Sequence, residues 1–192
     1  MISRMMALVL AVLYLSPCAA CGEAQSPEAV ASAAMESAKR GDWAAYTHSM
    51  HPGALARAKE LFRPLVAGDT EARLGKMFFG VAGVTQYDAM SDSTTFQALM
   101  EHLTRNLPAF AEAMKTAEFK IVGTVPEGDD VVHVVYRADA SVDDLAITRT
   151  SVMSLRKQGG EWRLLLTGNI EGLASRLSQM SSQKSGSNPR RR

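Results

Sequence analysis

The chain is short of cysteine, has no surplus of charge of either sign, and lacks the short motifs that mark the common catalytic sites. Its 192 residues hold two cysteines, Cys18 and Cys21, both near the N-terminus. No cysteine follows residue 21, so the remainder offers neither an internal disulfide nor a thiol nucleophile. Lys and Arg number 21 against 20 Asp and Glu. A nucleic-acid binder ordinarily carries a basic excess or stripe, and this balance argues against one. It also gives no steering toward polyanions. There is no G-x-S-x-G elbow, no P-loop and no G-x-G-x-x-G fingerprint, so a serine hydrolase, a P-loop NTPase and a dinucleotide enzyme have no support. No residue pattern implies a cofactor. What is present in quantity is apolar surface: 46% of residues are hydrophobic, enough for one ordinary core.

The first twenty residues read as a secretory signal. Arg4 supplies a short positive region, and Met5 to Leu15 is an apolar run without a charge. That run is too short to span a bilayer comfortably as a helix but suits the middle of a signal peptide. Cys18-Ala19-Ala20-Cys21 has the C-x-x-C spacing of a redox or metal motif, yet it closes a signal and does not adjoin a βαβ unit. It resembles a bacterial lipobox, with Ala19, Ala20 and Cys21 matching and Cys18 standing where an aliphatic residue is usual. The resemblance implies a lipid anchor at Cys21, with residues 21–26 forming the lipobox cysteine and a short linker. Simple cleavage and release is the alternative. Gly22 and Glu23 follow Cys21, with no aspartate in the place that often retains a Gram-negative lipoprotein in the inner membrane, which implies a periplasm-facing outer-membrane lipoprotein if the cell is Gram-negative, and otherwise a secreted protein.

Beyond the linker, residues 27–180 read as one domain. Ser26-Pro27-Glu28 is a helix start, with the stop at Gly41. Asp42 caps a second short helix that Pro52-Gly53 is expected to break, and Ala54 to Leu65 reads as a third. Another short helix ends near Phe79, and Gly80 to Ser93 reads as irregular. A helix from about Thr95, with Thr94 and Gln97 at capping-box spacing, should restart at Pro108. The period then changes to two. Phe119, Ile121 and Gly123 share a face; Val131 to Asp139, Ile147 to Lys157 and Trp162 to Thr167 follow as strands, the last pair joined at Gly159-Gly160. Helices first and an antiparallel meander afterwards is an α+β order. Asn169 to Met180 reads as a last helix, and residues 181–192, which include no apolar side chain, as a disordered tail.

Gly41-Asp42-Trp43 with Tyr46, and the closing Lys157 to Leu164 hairpin with Gly160-Glu161-Trp162-Arg163-Leu164, resemble the NTF2-like superfamily over about residues 27–168. The resemblance implies helices packed on a curved antiparallel sheet of about four strands, a cone whose apolar interior often holds a small molecule. Catalytic members place carboxylates, sometimes with a tyrosine, inside that cone. None of those residues transfers to this chain, and its helical block is longer than in the compact enzymes.

Candidate chemistry is therefore sparse. His48 and His51 stand at i and i+3, a spacing that can share a metal, although no third ligand stands nearby. Asp88 and Asp92 lie in the segment expected to be irregular, where a loop can present carboxylates to a pocket. Tyr136 falls on the apolar face of its strand, with its hydroxyl available to a ligand in the cone; His133 falls on the other face, and Arg149 lies on the next strand. The leading expectation is a non-enzymatic envelope domain that binds a small apolar ligand or a protein partner, the membrane being reached through Cys21. The alternative is a small-molecule enzyme of isomerase, dehydratase or hydrolase type, with Tyr136, His133 or Asp88 as acid or base.

Overall fold

The computed structural model describes residues 25–69, 71–142 and 145–186. The signal segment, Cys21 and residues 187–192 lie outside them. Helix α1 spans Pro27–Lys39. Ser26 caps it by accepting the Ala29 N–H at 3.2 Å, satisfying one of the N–H groups that a helix start leaves unpaired. Asp42 caps α2 (Trp43–His48) through the Ala45 N–H at 3.0 Å.

The break expected at Pro52-Gly53 falls just before it, at residues 49–51. Pro52 is the first residue of α3 (Pro52–Ala67), where a missing N–H costs nothing, and His51 Nδ1 caps that helix by accepting the Gly53 N–H at 3.0 Å. After α4 (Arg73–Phe79), Gly80 takes a left-handed φ of +69° that a side chain would strain. The stretch expected to be irregular contains α5 (Val84–Ala89), too short for helical periodicity to declare it. Its Tyr87 is fully buried, edge-on to Phe79 at 4.9 Å between ring centroids. Helix α6 (Asp92–Asn106) begins three residues earlier than expected because Ser91, and not Thr94, is the cap, accepting the Thr94 N–H at 3.1 Å. Pro108 restarts the chain as α7 (Pro108–Thr116), as expected.

Four antiparallel strands follow in the order β1 (Glu118–Glu127), β2 (Val131–Val142), β3 (Leu145–Gln158) and β4 (Glu161–Leu164). Phe119 and Ile121 oppose Ala138 and Tyr136, but the ladder then skips Val122, so that Gly123 opposes Val135 and Thr124 opposes Val134. This bulge moves Gly123 to the outer face and brings Thr124 inward, correcting the simple alternation. Val132, Val134, Met153, Leu155 and Leu164 form the buried inner face of the sheet, joined in one core with Ala31, Ala34, Phe62, Leu65 and Leu99 of the helices. The segment before α3 runs along β4: His51 donates its N–H to Leu164 O at 2.8 Å, and the Leu164 N–H reaches Ser49 O at 2.9 Å. Helix α8 (Gly168–Gly186) packs on α3 and buries Ala174. It continues six residues past the expected end at Met180, into the segment expected to be disordered. Among the described residues no helix is long and apolar enough to cross a membrane.

Candidate functional site

Three residues carried the acid–base expectation, and the fold puts them in three places. Tyr136 is on the inner face of β2, edge-on to Phe119 with ring centroids 6.0 Å apart. Beneath it the interior is filled by rings. Tyr46 stacks on Phe96 at 6.1 Å and meets Trp43 edge-on at 5.9 Å. Burial, with a smaller contribution from the neighbouring Tyr136, pushes the Tyr46 phenol up to about 12. A phenol so shifted keeps its proton at neutral pH and can donate a hydrogen bond but cannot serve as a base.

His133 points to the opposite face of the same strand. Its Nε2 lies 2.7 Å from Glu127 Oε2 and its Nδ1 2.8 Å from Ser154 Oγ, so both ring nitrogens are engaged. Asp88 is not in a loop but in α5, gripped by Arg63 through two hydrogen bonds of 2.8 Å. The hydrogen bond from that guanidinium holds the Asp88 carboxyl below the usual carboxylate range. Lys59 reinforces the clasp by donating to the Asp88 carbonyl at 3.1 Å and to the Met90 carbonyl. Asp92, the first residue of α6, lies 3.7 Å from the same ammonium. Arg149 is exposed on β3, opposite Ala138. Tyr136 and His133 thus face opposite sides of β2, while Asp88 is held in α5 by Arg63.

The His48–His51 pair is likewise divided. His51 spends Nδ1 on its helix cap. Among the described residues no group of three or more His, Cys, Asp or Glu side chains is placed to hold a metal ion.

His48 instead lines two adjoining clefts where α2, the start of α3 and the β3–β4 hairpin meet. One, of about 520 Å³, is bounded by Thr47, His48, Met50, Leu55, Gln97 and Arg163. The other, of about 620 Å³, is bounded by Val30, His48, Ser49, Gly160, Trp162 and Arg163. Arg163 stands between them and is held at both ends, donating to the His48 carbonyl and to Glu161 Oε2, each at 2.5 Å. Gln97 Nε2 donates to Thr47 Oγ1 at 2.8 Å, and the Lys157 ammonium lies 4.9 Å from the centre of the Trp162 ring. The His48 imidazole has no partner among the described residues. Glu161 offsets the charge of Arg163, so the clefts present fixed N–H donors, an imidazole and apolar side chains without strong attraction for an anion. Ser93 also lines the first cleft and Glu161 the second. Sequence reasoning used Arg163 only as part of the hairpin motif. The available signal was the i, i+2 spacing of Glu161 and Arg163 after Gly159-Gly160, which puts both side chains on one face.

No protein-family model matches the chain, and no curated protein matches its sequence. Among solved structures it is similar to the crystal structure of an NTF-2 like protein of unknown function from Shewanella oneidensis MR-1. That similarity has 14% sequence identity and a TM-score of 0.38, covering 71% of this chain and 89% of the other. The order of elements, helices first and then a four-strand antiparallel meander followed by one last helix, makes an α+β fold.

Proposed function

We propose that this chain is a non-catalytic binding domain of the cell envelope, exported and lipid-anchored at Cys21, that holds a segment of a protein partner in the clefts at His48 and Arg163. The observation that carries this reading is the unpartnered His48 imidazole beside a rigidly held Arg163, between two clefts that run together across the surface. A small apolar ligand calls for an apolar chamber with few polar groups. Tyr46, the neighbour of Tyr136, is packed against the rings of Trp43 and Phe96, and the clefts mix polar and apolar walls. An extended peptide suits such walls, because its carbonyls can accept from Arg163 while its side chains meet Ala44 and Pro52. The tether rests on the lipobox resemblance at Cys21.

A photo-crosslinking side chain at Gln158, which lines the first cleft, tests the binding surface against the same group at Lys120 on the outer face of the sheet. The expected outcome is one defined protein adduct from position 158, lost on His48→Ala and absent from position 120. Equal labelling from both positions, or none from either, refutes the cleft. Intact mass of the membrane extract tests the tether separately: a diacyl or triacyl increment is expected and should vanish in Cys21→Ala.

A further inference from the structure

The sheet has three stretches of edge, of which one is guarded and one is covered. On β1 the bulge at Val122, the proline at 126 and the charge of Lys120 guard against strand addition. On β4 the segment Ser49–His51 takes up the backbone groups of Leu164. The third stretch is open. Strand β4 pairs only with Leu155–Gln158 of β3, and the Leu165 N–H extends contact as far as Ser154 O, at 2.8 Å. Residues 145–152 of β3 are therefore paired with β2 on one side and with nothing among the described residues on the other.

This free edge carries little of the usual protection. It has no proline, glycine or bulge, and its only charge is Arg149. Residues 145–150 are all exposed, and Leu145, Ile147 and Val152 stand 65%, 42% and 49% accessible. Ile147, Thr148, Thr150 and Val152 are β-branched, the side chains that best suit a paired strand.

We infer that two copies of this chain pair antiparallel along this edge of β3, about a two-fold axis at Thr148. The register follows from the backbone. Ser154 turns its carbonyl away from β2, and the two-residue period gives the same outward direction to the N–H and C=O groups of Val152, Thr150, Thr148 and Ala146. An axis at Thr148 sets outward groups against outward groups: Thr148 faces its own copy and Ala146 faces Thr150 on either side. Three such pairs exchange about six backbone hydrogen bonds. On the other face Ile147 meets Arg149 and Leu145 meets Ser151, covering apolar side chains that are otherwise in water. An axis at Arg149 would bring two guanidinium groups opposite each other, which costs energy in a cross-strand pair. The two-fold arrangement consumes both free edges, so assembly stops at the dimer and does not propagate into a fibre. An unrelated strand has no feature here to fix its register, whereas the chain is complementary to itself.

Two variants in the full chain, in a Cys21→Ala background so that no other thiol follows the signal, test the arrangement. Thr148→Cys puts a thiol opposite its own copy at about 5.5 Å between Cα atoms, within disulfide reach, so mild oxidation should yield a covalent dimer. Ala146→Pro removes an N–H that faces the open edge and leaves the β2–β3 ladder intact. Sedimentation equilibrium should show a dimer for the parent and dissociation about tenfold or more easier for Ala146→Pro, with unchanged far-ultraviolet circular dichroism. A parent that stays monomeric up to about 100 μM, a concentration at which even a weak pair would associate, overturns the inference. So does a dimer that neither crosslinks through Thr148→Cys nor weakens in Ala146→Pro.

Discussion

Deleting a residue from the middle of a β-strand normally turns half its side chains to the wrong face. Val122 is the exception that the bulge creates. The ladder already passes from Ile121 opposite Tyr136 to Gly123 opposite Val135, so removing Val122 leaves every observed pair in place. The loss is limited to its own burial. Val122 is 65% exposed, and a third of the burial energy of a valine is about 0.5 kcal/mol. Deleting Lys120 is the matched control, because Phe119 must then move into an outward position. That surrenders the burial of a half-covered ring and its edge contact with Tyr136 at 6.0 Å, about 2 kcal/mol together. At roughly 2–4 °C per kcal/mol for a domain of this size, the melting temperature should fall by about 1–2 °C for the Val122 deletion and about 4–8 °C for the Lys120 deletion. Thermal unfolding followed by circular dichroism reads both. A Val122 deletion as costly as the Lys120 deletion would refute the reasoning: the bend made by the bulge would then be what wraps the sheet round the helices.

Two further outcomes concern the α3–α5 clasp. Tyr87 is fully buried and its hydroxyl donates to the Lys59 carbonyl at 2.8 Å, so Tyr87→Phe should cost about 1 kcal/mol in urea unfolding, and a neutral result would mean that the bond contributes nothing net. Asp88 has its carboxyl pKa lowered in the folded chain by Arg63, so its stabilising effect is present above its unfolded pKa and is lost as pH falls through the lower folded value. Asp88→Asn should therefore be less stable than the parent at about pH 7, with the difference vanishing by about pH 2; a difference that persists in acid would show that the pair's charge is not its source.

The fold class was legible because the period of the apolar residues changes from helical before Ala117 to alternating after it, and returns to helical only at α8. The caps at Ser26 and Asp42 were legible for a similar reason: the group that satisfies the helix start sits within three residues of it. What escaped was either too short or too distant. Helix α5 has six residues, less than two full turns, and so shows no stripe. The bulge at Val122 leaves no mark in an alternating run, because Val122 and Gly123 are both acceptable to an outer face. Pro52 marks the break between α2 and α3 but belongs to α3 as its first residue, a placement that depends on His51 turning its ring back to Gly53.

Polar residues that look reactive in a sequence are those whose partners lie far along the chain. Asp88 invites a catalytic reading only until Arg63, 25 residues away, is seen to hold both its oxygens. His133 does so until Glu127 and Ser154 take its two nitrogens from the adjoining strands. The converse error is larger. Arg163 looked like a fixture of the last hairpin, yet it reaches a carbonyl 115 residues earlier and builds the wall shared by two clefts. Short-range pattern reports what a segment becomes, whereas the availability of a side chain for chemistry is decided by contacts between segments. His48 shows the distinction best. Its spacing pairs it with His51 for a metal, but His51 is committed to a cap at Gly53, two residues on, and His48 is left without a partner among the described residues, beside the clefts. An imidazole left free beside an arginine that is tied down is a better sign of recognition than the spacing that first drew attention to it.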